Sequence, residues 1–279
     1  VDGGTVKLDG NYPVGTDNVA LGNTALDSVE AGGTNNVAIG DNAGTAITTG
    51  DNNVAVGKDA LVANTTGCFN TALGASTLLV NQTGICNVAI GASALRCNTA
   101  SNNIAVGMQP LYYNTSGIQN TAIGTKALFC NTTADNNTAL GYNSLLNNTT
   151  GTLNTMVGSC AGFAMTTGQQ NSGLGINTFQ ANTTGSRNST VGASSLAANT
   201  TGNDNTAVGH AALAANTTAH ENTAVGRASL QANTTGTANV GVGFKSLNAN
   251  TTGTCNIAMG VNSLLANTTG NNNVAIGFC

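Results

Sequence analysis

The sequence predicts an all-β fold, a parallel β-solenoid of about sixteen coils of 17 residues, and three observations lead to it. First, a phrase well represented by residues 222–238, NTAVGRASLQANTTGTA, recurs from Asn18 to the end of the 279-residue chain. Second, only 6% of the residues are charged and 4% are aromatic, which is unlike an ordinary globular core. Third, aliphatic residues recur at fixed positions, which is unlike a disordered linker. Units this short cannot bury an apolar face alone, so they must stack on their neighbours.

We call the glycine that ends the N-x-A-hydrophobic-G stretch the marker of its coil, and we count positions from it. Successive markers are 17 residues apart except for one step of 18, from Gly22 to Gly40, and one step of 16, from Gly91 to Gly107. The sixteen markers are Gly22, Gly40, Gly57, Gly74, Gly91, Gly107, Gly124, Gly141, Gly158, Gly175, Gly192, Gly209, Gly226, Gly243, Gly260 and Gly277.

Residues 1–17 lack the phrase and are predicted to form an N-terminal cap or a junction to an upstream domain. They contain the pair Tyr12-Pro13, which disfavours continued regular strand pairing. No signal peptide precedes them, as expected for a processed or partial piece of a longer protein. The solenoid repeat domain is then expected to occupy residues 18–279.

The residues that precede each marker alternate in character and predict a short, half-buried strand that ends at a glycine corner with positive φ. The residue just before the marker is aliphatic in all sixteen coils, as in Leu21 and Met259, so we expect this column to form the core. Its neighbour is mostly alanine, as in Ala207, and such a flat column of small side chains would let another chain approach closely.

A second apolar column lies four positions after the marker, where most coils have leucine, as in Leu213 and Leu230. It suggests a second short strand in each coil. A fully buried aliphatic side chain stabilises by about 1.5–3 kcal/mol, so two or three per coil hold a stack but not a single coil. With strands about 4.8 Å apart, the stack is expected to be a rod roughly 70 Å long.

Asparagine stands four positions before every marker. Stacked in register, such side chains can hydrogen-bond to the copies above and below, or satisfy backbone groups at the corner. We therefore predict a structural asparagine ladder. Its members are Asn18, Asn36, Asn53, Asn70, Asn87, Asn103, Asn120, Asn137, Asn154, Asn171, Asn188, Asn205, Asn222, Asn239, Asn256 and Asn273.

A second asparagine column lies seven positions after the marker and, except at Asn98, fits the acceptor pattern for N-glycosylation. Its candidate acceptors are Asn64, Asn81, Asn114, Asn131, Asn148, Asn182, Asn199, Asn216, Asn233, Asn250 and Asn267. The alternative is that N-T-T-G makes a stable corner, with glycine adopting the unusual φ.

Two irregular coils favour the corner. Gly44 and Gly162 replace the leucine in coils where Ile47 and Met165 replace this asparagine. An apolar residue that fills the space of the missing leucine must face inward, so the column is expected to be buried.

The seven cysteines occupy scattered positions in the repeat and do not form a regular disulfide ladder. Cys68 and Cys86 lie one coil apart and nearly in register, so a bridge between them is a candidate. The other thiols are interpreted as small buried or incidental residues.

Sites of chemistry are not found in the sequence. The net charge is −4 with only seven Lys and Arg, which argues against nucleic acid as a partner, and no apolar run is long enough to span a membrane. His210 and His220 have no recurring Cys or carboxylate beside them to form a metal site, and Asp135, Asp204 and Glu221 are isolated. We therefore expect no enzyme activity, no cofactor and no metal.

The phrase N-T-A-V-G-x-x-x-L-x-A-N-T-T-G resembles the head repeats of trimeric autotransporter adhesins. It is closer still to the longer-period repeats of tail-fibre and virion-fibre domains of phages, bacteria and large DNA viruses. The resemblance covers residues 17–279 and implies a left-handed parallel β-roll, three chains side by side with an apolar interface, and attachment to surfaces. The longer unit, the N-T-T-G corner and the cysteines depart from the adhesin pattern.

The expected function is therefore that of a non-enzymatic structural fibre, a homotrimer on an extracellular cell or virion surface that contributes to attachment through a cell-surface or glycan receptor. One alternative is a solenoid that orders water or ice through threonine rows such as Thr65-Thr66 and Thr183-Thr184. Adjacent threonines on an extended segment face opposite ways, however, which disfavours this alternative. Another alternative is a glycan-binding or glycan-cleaving tail spike, and the scarcity of acidic residues disfavours cleavage.

Overall fold

The computed structural model describes residues 15–278, which contain sixteen β-strands and no helix. Each strand consists of the three residues that precede a marker. The strands are β1 (Val19–Leu21), β2 (Val37–Ile39), β3 (Val54–Val56), β4 (Thr71–Leu73), β5 (Val88–Ile90), β6 (Ile104–Val106), β7 (Thr121–Ile123), β8 (Thr138–Leu140), β9 (Thr155–Val157), β10 (Ser172–Leu174), β11 (Ser189–Val191), β12 (Thr206–Val208), β13 (Thr223–Val225), β14 (Val240–Val242), β15 (Ile257–Met259) and β16 (Val274–Ile276).

The chain divides into two compact units, Val1–Asn137 with β1 to β7 and Thr138–Cys279 with β8 to β16. Within each unit, consecutive strands pair in parallel, and each strand residue lies beside its equivalent one coil away, as Thr206 lies beside Thr223. The coils of 18 and 16 residues keep this register, because Val19 pairs with Val37 and Val88 with Ile104. The predicted parallel β-solenoid is confirmed within each unit. Residues 1–14 of the predicted cap lie outside the described residues.

The expectation about which side chains form the core is wrong. The alanine column is buried, with Ala207 and Ala224 0% exposed, whereas the aliphatic column points outward, with Leu73 45% and Val208 38% exposed. The asparagine four positions before the marker shares the face of this alanine, because side chains two apart on a strand point the same way. Since these asparagines are buried, the alanines are buried with them.

The expected second strand is also absent from the described coils. The leucine column is fully buried except at Leu264, but it lies in turns, where Leu213 has φ of +50° and Leu230 has φ of +51°. A left-handed conformation costs a residue with a Cβ atom about 1–2 kcal/mol. Burial of the leucine side chain returns about 1.5–3 kcal/mol, so packing maintains a backbone conformation that leucine alone would avoid.

The two kinds of glycine in the phrase are required for different reasons. The marker Gly226 has φ of +129°, and a Cβ there would lie 2.5 Å from the carbonyl oxygen of Gly243 in the next coil. The corner glycine Gly236 does not have a positive φ, so the expectation for the N-T-T-G corner is wrong on this point. A Cβ at Gly236 would instead press against the carbonyl oxygen of Gly253 in the next coil and lie 2.6 Å from Oδ1 of Asn233, so close approach explains this glycine.

The first irregular coil confirms the predicted compensation. Gly44 takes the leucine position with φ of +57°, and a Cβ there would lie 3.0 Å from Cδ1 of Ile47. Ile47 is buried, so it fills the space left by the missing leucine.

The second irregular coil achieves the same result with an additional residue. A Cβ at Gly162 would lie 3.0 Å from Cδ2 of Leu145 and 3.2 Å from Cγ of Met156, which replaces the usual strand alanine. Met156 and Met165 are both buried. Gly173 in the next strand leaves room for Met156, because a Cβ there would lie 2.6 Å from the Met156 sulfur. Large and small residues therefore alternate between coils to keep the interior filled.

Replacing Gly226 by Ala should destabilise the second unit far more than replacing Gly236 by Ala. The first change places a Cβ in a conformation that costs about 1–3 kcal/mol in backbone strain alone. The second adds no strain from a positive φ, and Ala134 and Ala219 occupy the same position in other coils, so a small shift of the corner can accept the Cβ and the loss should be smaller. Thermal unfolding followed by circular dichroism measures both, and equal losses would contradict the distinction.

Candidate functional site

The predicted asparagine ladder is a continuous internal structure within each unit. Nδ2 of Asn222 donates to Oδ1 of Asn205 at 3.2 Å and to the carbonyl of Gly236 at 2.9 Å. Oδ1 of Asn222 accepts from the backbone nitrogen of Asn239 at 3.0 Å and from its Nδ2 at 3.2 Å. Both hydrogens and both lone-pair directions of the amide are therefore used. The fully or almost fully buried members are Asn36, Asn53, Asn70, Asn87, Asn103, Asn120, Asn137, Asn154, Asn171, Asn188, Asn205, Asn222, Asn239 and Asn256.

The second asparagine column forms another internal ladder that meets the first at the corner. Nδ2 of Asn233 donates to Oδ1 of Asn216 at 3.0 Å and to the carbonyl of Gly236 at 2.9 Å. The same carbonyl accepts from Asn222 of the first ladder, so two amides converge on one backbone oxygen. The candidate acceptors that are fully buried are Asn64, Asn81, Asn114, Asn131, Asn148, Asn182, Asn199, Asn216, Asn233 and Asn250, and Asn267 is partly exposed.

This burial supports the corner role over the glycan role for the second column. An N-linked glycan is attached at Nδ2, and at Asn233 that atom is inside the coil with both hydrogens bonded. Whether any of these positions carries sugar stays a prediction.

The second ladder is interrupted at the 16-residue coil. Asn98 lies at a corner that is one residue shorter, and its Nδ2 donates to the carbonyl of Ala100 at 2.8 Å. Oδ1 of Asn81 is buried and has no hydrogen-bond partner there. An unsatisfied buried polar atom costs about 1–3 kcal/mol, so this rung is a weak point of the first unit.

The outward side chains of the strands form an uncharged surface that we call the strand face: the first residue of each strand within a unit, which is Val, Ile, Thr or Ser, and the third, which is aliphatic. These side chains are partly or fully exposed, and none of them is charged. The third residues are aliphatic throughout: Leu21, Ile39, Val56, Leu73, Ile90, Val106 and Ile123 in the first unit, and Leu140, Val157, Leu174, Val191, Val208, Val225, Val242, Met259 and Ile276 in the second. Exposed apolar surface that continues from coil to coil marks an interaction site.

The first threonines of the N-T-T corners do not form a row of free hydroxyl groups. Oγ1 of Thr183 donates to the carbonyl of Thr200 at 3.1 Å, and Oγ1 of Thr200 donates to Thr217 at 3.0 Å. The first threonine of the pair therefore ties adjacent coils together. Its hydroxyl hydrogen is not available to order water, which weakens the water-ordering alternative.

The candidate bridge between Cys68 and Cys86 is not formed, and both thiols are free. The two residues stand eleven and twelve positions after their markers, so they occupy different columns of the coil. They are joined instead through the backbone, where the nitrogen of Cys86 donates to the carbonyl of Cys68 at 3.1 Å. Elsewhere in the first unit, burial raises the pKa of the Cys130 thiol, which disfavours its reactive thiolate form.

The ionisable residues singled out in the sequence lie on the surface. Nδ1 of His220 accepts from the backbone nitrogen of Asn203 at 3.0 Å, and His210 is exposed. The side-chain hydrogen bond from Arg187 to Asp204, 2.8 Å long, lowers the pKa of that carboxyl group.

Within residues 15–278, no group of three His, Cys, Asp or Glu side chains is placed to hold a metal ion, and no helix could cross a membrane.

One surface cluster was not anticipated from the sequence. Tyr112, Tyr113 and Phe129 contact one another on adjacent coils, and Arg96 and Lys126 lie over two of these rings. The repeat period could have revealed this cluster. The position five residues after the marker is occupied in three successive coils by Arg96, Tyr112 and Phe129.

The sequence was compared with known protein families and with curated proteins. No model of a known protein family matches the chain, and no curated protein sequence matches it.

Replacing Asn222 by Asp should destabilise the second unit in a pH-dependent way. The carboxylate would face the oxygens of Asn205 and Gly236, so its folded-state pKa should rise above the ordinary value of about 3.9. One carboxylate oxygen would keep the two donors of Asn239, but the other would have none, so stability is retained at low pH and lost as pH rises, by up to about 3–5 kcal/mol at pH 7.

The matched control is Asn203→Asp. Oδ1 of Asn203 accepts from the backbone nitrogen of Ser186 at 2.7 Å, and Asp135 plays the same role towards Ile118 at 2.7 Å. This variant should keep its melting temperature between pH 5 and 8. Melting curves across that range compare the two variants. A melting temperature of Asn222→Asp that does not change with pH would contradict the hydrogen bonds assigned to Asn222.

Folded chain produced in glycosylating cells should carry no sugar on Asn199 or Asn233. A glycan on either side chain would have to displace the two hydrogen bonds of its Nδ2 and expose the corner. Peptide mass spectrometry of the folded fraction measures this, and hexose-bearing peptides at these positions would overturn the corner interpretation.

Proposed function

We propose that this chain is a non-enzymatic structural fibre component, a homotrimer displayed on a cell or virion surface that contributes to attachment. The observation that carries the proposal is the strand face. In each unit it presents uncharged side chains from every strand, and its third residues are aliphatic throughout. Soluble monomers rarely expose contiguous apolar surface of this kind, so another copy of the chain is the partner that explains it.

The regularity of the strand face supports association with copies of the same chain. Because Val191, Val208 and Val225 repeat at the spacing of the paired strands, a parallel second copy would meet the same side chains at each coil. Burial of such side chains is worth about 25 cal/mol per Å², and the contribution adds from coil to coil. The number three is taken from the resemblance to trimeric adhesin heads.

The ionisable side chains are scattered over the surface, which supports a structural rather than an enzymatic role. The pair Arg187 and Asp204 is exposed, and His220 accepts a backbone hydrogen bond at the surface. The ladders that use most of the buried polar groups serve to hold coils together.

The test is the mass of the chain in solution, with charge placed on or off the strand face. The unaltered chain should sediment with the mass of three chains at micromolar concentration. The double variant Val208→Lys, Val225→Lys should sediment as a monomer with unchanged circular dichroism, because lysine on the outward face does not enter the coil.

The control is Thr201→Lys, Thr218→Lys, which places the same charges on exposed corner threonines of successive coils and should remain trimeric. Sedimentation of the unaltered chain as a stable monomer would contradict the proposal. Sedimentation as a dimer would correct the number of chains.

A further inference from the structure

We propose that Arg96, Tyr112, Tyr113, Lys126 and Phe129 form a binding site for anionic saccharides, meaning sugars that carry carboxylate or sulfate groups. We call these residues the aromatic site. The inference rests on the proposed role in attachment and gives that role a location and a ligand chemistry.

The rings of the aromatic site hold one another in place. Tyr112 and Phe129 are stacked, with centroids 5.3 Å apart and an angle of 27° between planes. Tyr113 meets both edge-on, with centroids 4.7 Å from Tyr112 and 5.1 Å from Phe129. Such contacts fix ring orientation before a ligand arrives, which lowers the entropic cost of binding.

The rings are not needed for the interior of the coil. The buried apolar positions are filled by Leu111 and Leu128, each of which immediately precedes a ring residue. Tyr113 is 47% exposed. The chain has only ten Tyr and Phe together and no Trp, so three rings in mutual contact at the surface call for a role other than core packing.

The two cations give the site its preference for negative charge. Cζ of Arg96 lies 5.6 Å from the Tyr112 ring centroid, and its Nη1 donates to the Tyr112 hydroxyl at 3.1 Å. Nζ of Lys126 lies 5.5 Å from the Phe129 centroid. Neither has a carboxylate partner among residues 15–278, whereas Lys58 and Arg187 are paired with Asp41 and Asp204.

An anionic saccharide matches this combination of groups. The apolar C–H face of a pyranose ring fits against an exposed aromatic face such as that of Tyr113. A guanidinium group has five N–H donors in a fork that suits carboxylate and sulfate oxygens, and Arg96 uses one nitrogen for Tyr112. The ammonium group of Lys126 adds a second positive charge on the same surface.

The aromatic site lies away from the strand face and would stay open in the proposed oligomer. The leucine column faces the strand alanines across the coil, because a Cβ at Gly44, in the leucine position, would lie 3.7 Å from Cβ of Ala38. The rings directly follow Leu111 and Leu128 in the wall opposite the strands, and Tyr113 is exposed there. Three copies would then present three sites, and multivalent contact raises avidity without new contacts.

A second surface cluster provides an internal control. In the other unit, Arg227 and Lys245 lie 5.6 Å and 5.3 Å from the single ring of Phe244. It has the same two positive charges without a set of rings in contact. If charge alone determined binding, the two clusters would contribute equally.

The experiment measures binding of the unaltered chain and its variants to three immobilised probes: a heparin-derived hexasaccharide, a neutral cello-hexasaccharide and poly-glutamate. We expect the unaltered chain to bind the heparin fragment and neither of the other probes. Tyr113→Ala and Arg96→Gln should each weaken this binding by about tenfold or more, as loss of a central aromatic or arginine contact does. Arg227→Ala, Lys245→Ala should leave it within about twofold, and melting curves should show that all variants are folded.

Three results would overturn the proposal: no binding of the heparin fragment, equal losses in the two clusters, or equal binding of poly-glutamate. The last two would identify non-specific attraction between charges. The strand-face variant Val208→Lys, Val225→Lys and the equally charged variant Thr201→Lys, Thr218→Lys are measured alongside at monovalent probe density, where the two should bind with the same affinity. Failure of the oligomer and failure of the saccharide site are thereby separated.

Discussion

The buried hydrogen bonds between asparagine amides are the constraint on which the rest of the structure depends. Each coil has few large apolar side chains, and its interior includes two amides, such as Asn222 and Asn233, that both donate to Gly236. An amide in an apolar interior is costly unless fully bonded, so each coil requires a neighbour in the same register. This explains why the period varies so little and why the one shortened corner leaves Oδ1 of Asn81 without a partner.

The same constraint decides which face of the strand meets water. With Asn205 buried, Ala207 two residues later must face inward, and Val208 must face outward. Alanine there leaves room for the leucines of the opposite wall, whose left-handed backbone turns their side chains inward. The largest aliphatic residues of the strand are thus left outside by the geometry of the coil, and the apolar surface that favours self-association is a direct result.

Several features were predictable because they follow from residue spacing relative to the markers. They are the period, the strand positions, the parallel register and the buried second asparagine column. The inside and outside of the strand were misassigned because alternation groups residues by face without saying which face is buried. Hydropathy then favoured Val208 over Ala207 as the buried residue. The decisive signal was that Ala207 shares a face of the strand with Asn205, which is buried. The leucine turns were missed because leucine rarely adopts positive φ; Gly44 and Gly162 in that column were the available clue.

The fixed interior and the variable exterior together explain where recognition can arise. Inward positions must repeat, since a change such as Met156 requires a matching change at Gly173. Outward positions away from the strand face carry no such restriction. At five positions after the marker, the first unit has Arg96, Tyr112 and Phe129 in successive coils, while the second has Ala197 and Ala214 at equivalent places. A side-chain cluster can therefore be assembled across coils at little cost to the fold, and the period itself aligns its members, which is why a structural repeat can also provide a specific binding surface.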